Sequence, residues 1–125
     1  MSPRVTMILR ILLGIFILVF GVNKFANFLE FPSIPGDGGD LMRIYFTSGF
    51  LKIIGVLEIL AGIALLANKY VPLALTFSVA IMLNAAIFHG LHDLPNIGGA
   101  MVGLILSLVV LFGGYRERFS SLLSA

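Results

Sequence analysis

The 125-residue chain has no cysteine and no tryptophan, and only 11% of its residues are charged. The lack of cysteine excludes disulfides, thiol relays, cysteine-held zinc and iron–sulfur clusters. Soluble domains carry charge on roughly a quarter of their residues. Here 59% of the residues are hydrophobic, and the mean hydropathy is +1.10. The net charge of +2 is too small for a nucleic-acid-binding surface. These features indicate a protein that is embedded in a lipid bilayer.

Four apolar stretches are each close to the length of about 20 residues that crosses a membrane. They lie at roughly 5–25, 49–67, 72–91 and 97–114. The sequence therefore predicts an all-α integral membrane protein, a four-helix bundle that forms a single domain over residues 1–125. The connection at 26–48 begins as a turn-rich loop and continues as DLMRIYFTS, with apolar residues at helical spacing. We expect a short interfacial helix there on the outer membrane face, with Asp40 as its N-cap, and Asn96 as the N-cap of the last span.

The basic residues near the ends of these stretches predict the orientation of the chain. Five lie on one side of the membrane and three on the other, and the side with more Lys and Arg usually faces the cytoplasm. Both termini are therefore predicted to be cytoplasmic. The five are Arg4, Arg10, Lys69, Arg116 and Arg118, and the three are Lys24, Arg43 and Lys52.

Glycines recur at helical spacing on three of the predicted spans. Small residues on one face let two membrane helices approach closely, so these glycines are predicted to mark the interior, helix-packing faces. The first two stripes also carry Lys24 and Glu58, which places both side chains on interior faces. The packing glycines are Gly14 and Gly21, Gly55 and Gly62, and Gly99 and Gly103.

Glu58 lies within the second span, and no Lys or Arg occurs within five positions of it. At 1.5 Å per residue it is about 13 Å below the outer surface. Lys24, Asn84 and His89 fall in the same outer half. An ionisable residue inside a span is a functional-site hypothesis by default, so we predict that Glu58 is the floor of an outward-facing polar pocket. Two structural alternatives stay open: a neutral acid hydrogen-bonded to Asn84, and an ion pair with Lys24.

Metal and haem sites receive little support from the sequence. His89 and His92 lie three residues apart beside Asp93, but no third strong ligand is nearby, and no metal is predicted. Both histidines are on the same predicted helix, so they cannot supply facing haem ligands. No cofactor is expected to be held covalently or by cysteine.

Several motifs occur in order along the chain: RILLGIFILVFGVNKF on the first span, SGFLKIIGVLEILAGIALL on the second and YVPLALTFSVAIMLNAAIFH on the third. With the glycine-rich fourth span, they make the sequence resemble the DoxX family across nearly its whole length. The resemblance implies a four-span protein of the bacterial-type inner membrane. The family takes its name from subunits associated with thiosulfate:quinone oxidoreduction. Its polar signature falls on Asn23, Lys24, Glu58, Asn84 and His89.

Three functions are compatible with these observations. The chain could be a redox-associated subunit that binds a quinone in the outer pocket, with Lys24 or His89 donating to a ring oxygen and Glu58 exchanging protons. Any enzymatic role would then belong to a quinone-linked oxidoreductase with a membrane or peripheral redox partner, because the chain has no redox centre of its own. It could instead bind or transport a lipid or small amphiphile. The third candidate is a non-catalytic assembly subunit or scaffold. A homo-oligomer is compatible with each.

Overall fold

The computed structural model describes residues 1–28 and 33–124, and these residues form helices and no strand. The predicted all-α class is therefore confirmed. The four predicted spans all form helices whose ends lie within two residues of the expected positions. Residues 29–32, at the start of the predicted loop, lie outside the described residues. The helices are α1 (Pro3–Ala26), α2 (Gly36–Thr47), α3 (Phe50–Ala67), α4 (Val71–His92), a 3-10 helix at Leu94–Asn96, α5 (Gly98–Gly114) and α6 (Arg116–Leu123).

Local capping fixes the ends of α1. The Ser2 hydroxyl accepts a hydrogen bond from the Val5 backbone N–H at 3.2 Å, and Pro3 occupies the first turn, where an N–H would have no partner. At the other end Asn27 adopts the left-handed conformation (φ 51°), and its N–H donates to the Asn23 carbonyl. The helix therefore begins and ends where its own sequence supplies the missing backbone partners.

Three of the described helices, α1, α3 and α4, are long and apolar enough to cross a membrane. Helix α5 has 17 residues, about 25 Å, which is short of the usual hydrocarbon thickness. It meets the length criterion only together with α6, and the two helices are bent by 93° at their junction. Composition and length thus support three spans, or four if α5 and α6 together count as one.

Helices α1, α3, α4 and α5 pack side by side around a common core, each antiparallel to its neighbours. The α3–α4 connection is only Asn68, Lys69 and Tyr70. Helix α2 packs against α3 and α4 at the end of the assembly where α1 finishes, which we call the Lys24 end. The opposite end, where α1 begins, is the Arg10 end.

The tightest contact joins α1 to α3 through glycine. A methyl group added to Gly21 would lie 2.9 Å from the Gly55 carbonyl oxygen, and one added to Gly62 would lie 3.0 Å from the Gly14 carbonyl oxygen. Such distances are shorter than real carbon contacts, so the two backbones can approach this closely only because these residues lack a Cβ. The first two glycine stripes therefore face each other.

The third stripe is only partly interior. A methyl group on Gly103 would meet the Met82 sulfur of α4 at 2.5 Å, so this glycine is a packing residue. Gly99 is exposed, and its nearest neighbour would be Phe20 Cζ at 4.0 Å. The prediction that Gly99 packs tightly is therefore wrong.

Other boundaries also differ from the sequence predictions. Helix α2 begins at Gly36 after Pro35, so Asp40 lies inside the helix and is not its N-cap. Ile97 precedes α5, while Asn96 belongs to the 3-10 helix and donates to the Asp93 carboxylate at 3.0 Å. Helix α6 was not predicted. Eight residues are too few for a periodic pattern, although Phe119 in this helix is buried against the core.

Candidate functional site

An ion pair joins Lys24 of α1 to Glu58 of α3. The glycine contact between the two helices positions it. A Cβ on Gly55 would lie 3.1 Å from Lys24 Cβ, and a Cβ on Gly21 would lie 2.9 Å from Glu58 Cβ. Each glycine therefore packs against the base of one charged side chain. The close helix approach and the ion pair are parts of one arrangement.

The two charged groups differ in their access to the surroundings. The Glu58 side chain is 1% exposed, whereas Lys24 is 22% exposed. Lys24 lies in the last turn of α1, at the end of the assembly, and its ammonium covers the carboxylate. A group that approaches this site from outside therefore meets Lys24 first and reaches Glu58 only when the ammonium moves.

The other predicted site residues do not all join this pair. Asn23 is buried on α1, at 6% exposure. Asn84 is exposed on α4, which does not fit the alternative of a buried hydrogen bond to Glu58. His89 Nδ1 lies 3.4 Å from the Asp93 carboxylate one turn along the chain. The structure thus brings Lys24 and Glu58 into contact and gives His89 a different partner.

His89, His92 and Asp93 form no metal-binding group in the structure. Within residues 1–28 and 33–124, no three His, Cys, Asp or Glu side chains lie close enough together to hold a metal ion. The ring of His92 instead packs on Phe88, with 5.4 Å between the ring centres. Both histidine rings pack against Phe88, and His89 also lies beside Asp93.

Arg10 is a buried polar residue whose role the sequence did not reveal. Its guanidinium donates to the carbonyl oxygen of Leu65, near the end of α3, and the residue is only 7% exposed. A long basic side chain near a span end can extend towards water, but here it joins α1 to α3. Its position in the sequence could have indicated this burial, because Arg10 lies at helical spacing from Gly14 and Gly21 on the interior face of α1.

Two clefts of the described residues lie at the Arg10 end. One, of about 400 Å³, is bordered by Arg10, Asn68 and Tyr115. The other, of about 560 Å³, lies in the angle between α5 and α6, beside Phe112, Arg116 and Phe119. Neither cleft is lined by Lys24 or Glu58. Glu58 itself is buried, and the Lys24 side chain lies between it and the surface.

The chemistry of the pair suits a neutral ligand that carries a carbonyl oxygen. An ammonium has three N–H donors, so contact with one carboxylate oxygen does not exhaust the hydrogen-bonding capacity of Lys24. A carboxylate beside it can accept or return a proton. Together these groups can donate a hydrogen bond to an oxygen atom and exchange a proton with it.

Comparison with protein families matches residues 5–92 to a family model described as DoxX. The match includes α1, α3 and α4, together with Lys24, Glu58, Asn84 and His89. No curated protein and no solved structure matches the chain.

Proposed function

The chain belongs to the DoxX family, and we propose that it is a four-span inner-membrane subunit that binds a quinone-type ring at the Lys24–Glu58 pair. In this proposal α5 is the fourth span, α2 lies on the outer membrane face and both termini are cytoplasmic. The bias of basic residues supports that orientation. The 93° bend after α5 supports α5 as a span that ends at Gly114, because it turns the polar segment that follows away from the direction of the span.

One observation carries the proposal: a carboxylate that is 1% exposed, inside a span, is covered by an ammonium that is 22% exposed. Lys24 would donate to a ring oxygen, and Glu58 would take up or release the proton that accompanies reduction or oxidation of the ring. The electrons would come from or go to a separate redox protein, because the chain has no cysteine to hold an iron–sulfur cluster or form a redox-active disulfide.

Ligand content tests the proposal directly. The protein is purified in mild detergent from a quinone-containing membrane, extracted with organic solvent, and the extract is analysed by mass spectrometry. We expect about one quinone per chain or per oligomer in the wild type. Glu58→Gln and Lys24→Met should each retain less than a tenth of it.

Lys52→Met is the matched control, because it removes the same charge from an exposed position at the start of α3. It should retain the ligand. A variant that has unfolded would lose the quinone for a reason unrelated to the proposed site. Each preparation is therefore first checked for a single symmetric peak in size-exclusion chromatography. A folded wild-type protein that contains no quinone, or a folded Glu58→Gln protein that retains it, would contradict the proposal.

A second candidate, a non-catalytic assembly subunit, is favoured by a different observation. The pair lies within the glycine contact of α1 and α3, and neither of the two clefts reaches it. A purely structural pair would have this geometry. In that case the purified protein would contain no stoichiometric quinone or lipid and would co-purify with a membrane or redox protein from its own cell.

A further inference from the structure

We propose that a second copy of this chain packs against the exposed face of α4, and that the Asn84 amides of the two copies hydrogen-bond each other. We call this surface the Asn84 face. It consists of four exposed residues at helical spacing, Phe77, Ala80, Asn84 and Ile87. The inference does not depend on the quinone proposal, because this face lies on a different helix from the Lys24–Glu58 pair.

Asn84 is a polar group well inside an apolar span. It precedes His92, the last residue of α4, by eight positions, which corresponds to about 12 Å along the helix axis. No hydrogen bond joins its amide to any residue in the described part of the chain. An amide exposed to hydrocarbon without a partner is strongly unfavourable, and water cannot supply the missing bonds at this depth.

Several other polar groups deep in these helices have partners within the described residues. The Thr76 hydroxyl donates to the Pro72 carbonyl at 3.0 Å, within α4 itself. Ser78 of α4 and Ser107 of α5 share a hydrogen bond of 2.6 Å, and Lys24 contacts Glu58. Asn84 differs from them because it is exposed on α4 and has no hydrogen-bond partner among residues 1–28 and 33–124. We infer that its partner belongs to another molecule.

A second copy satisfies Asn84 for two reasons. The amide has both a donor group and an acceptor oxygen, so two such side chains can bond reciprocally. Two copies related by a two-fold axis along the membrane normal also place their Asn84 residues at the same depth. Ala80, one turn away on the same face, lets the two backbones approach, and Phe77 and Ile87 provide apolar contact on either side.

The chain contains no cysteine, so single-cysteine cross-linking in native membranes can test the interface without background. Ala80→Cys should form a disulfide-linked dimer after mild oxidation. Val109→Cys is the matched control, because Val109 is exposed in the middle of α5, away from the Asn84 face. It should remain monomeric. The Ala80→Cys chain is then combined with Asn84→Leu, Asn84→Gln or Thr76→Val.

Asn84→Leu should lower the dimer yield at low expression by about tenfold, as expected for the loss of two interhelical hydrogen bonds in lipid. Asn84→Gln keeps the amide and should retain more dimer than the leucine variant. Thr76→Val removes a hydroxyl whose bond is internal and should leave the yield unchanged. Asn84 makes no hydrogen bond to any described residue, so both Asn84 variants should leave the monomer folded.

Four outcomes would overturn the proposal. They are equal cross-linking of Ala80→Cys and Val109→Cys, an unchanged dimer yield in Asn84→Leu, cross-linking of Ala80→Cys to a different protein, and a wild-type mass equal to the 13.5 kDa chain in native mass spectrometry from mild detergent. A mass of twice that value, which falls to the single-chain mass in Asn84→Leu, would support it.

Discussion

Breaking the Lys24–Glu58 pair from each side should have unequal consequences for stability. Removing one partner of a buried ion pair typically lowers the free energy of unfolding by about 3–5 kcal/mol. Lys24→Met leaves the Glu58 carboxylate without its cation. The Glu58 side chain is 1% exposed, and its Cβ packs against Gly21. That carboxylate cannot reach water, so we expect the full loss of about 3–5 kcal/mol.

Glu58→Gln leaves a charge that can move. Lys24 is 22% exposed at the end of α1, and its long stem lets the ammonium turn towards the membrane surface. The new amide keeps the shape of the acid but is itself buried, so we expect a loss of about 1–3 kcal/mol, typical of an unsatisfied buried polar group. The double variant contains no unpaired charge. It should therefore be more stable than Lys24→Met alone, even though it carries one more substitution.

The measurement is the unfolding midpoint of the wild type, both single variants and the double variant in one mild detergent. Asp40→Asn and Arg43→Met form the control cycle. These residues are 66–71% exposed and 3.9 Å apart on α2, and such surface pairs contribute about 0–1 kcal/mol. Equal losses from the two buried single variants would refute the argument from burial. A double variant whose loss equals the sum of the two single losses would refute the pairing itself.

Three further predictions follow from the packing and the topology. Gly21→Ala should destabilise the protein by about 1–3 kcal/mol, because its methyl group would meet backbone atoms of α3 at 2.9 Å; Gly99→Ala should be neutral or stabilising, and equal melting temperatures for the two variants would contradict the assigned contact. Arg10→Met should lower the unfolding midpoint, because it removes a buried donor to the Leu65 carbonyl, whereas exposed Arg4→Met should not. An impermeant thiol reagent applied to intact cells should label cysteines on the outer side and not those on the inner side, and labelling of the inner pair would refute the orientation. The outer sites are Asp37 and Asn96, and the inner sites are Lys69 and Ser124.

The helices could be predicted because their signals are local. Length and apolar composition define α1, α3, α4 and α5, and Pro3 and Pro72 fall in first turns, where their missing N–H groups have no partner to lose. Helix α6 has only eight residues, and its stability depends on packing Phe119 into the core. Contacts of that kind join distant parts of the chain, so a short segment does not reveal them.

The α1–α3 contact could be predicted because glycine marks a helix face. Gly21 and Gly55 indicate which sides of the two helices meet. Because each glycine stripe also carries one charged residue, the same contact brings Lys24 and Glu58 together. The same reasoning failed at Gly99. A small residue permits close approach but does not require it, and Gly99 lies on the exposed side of the first turn of α5.

The position of Asn84 shows that the depth of a residue in the membrane does not determine which side of its helix it lies on. Counting residues along the spans places Asn84 and Glu58 at similar depths, about 10–13 Å from the outer surface. Whether they meet depends on rotation about the helix axis, and α4 has no glycine stripe that fixes its inner face. Glu58 is buried and has a cation beside it, whereas Asn84 is exposed and has no hydrogen-bond partner among residues 1–28 and 33–124. Two polar groups at one depth therefore serve different contacts, one between helices of this chain and the other with a neighbouring copy.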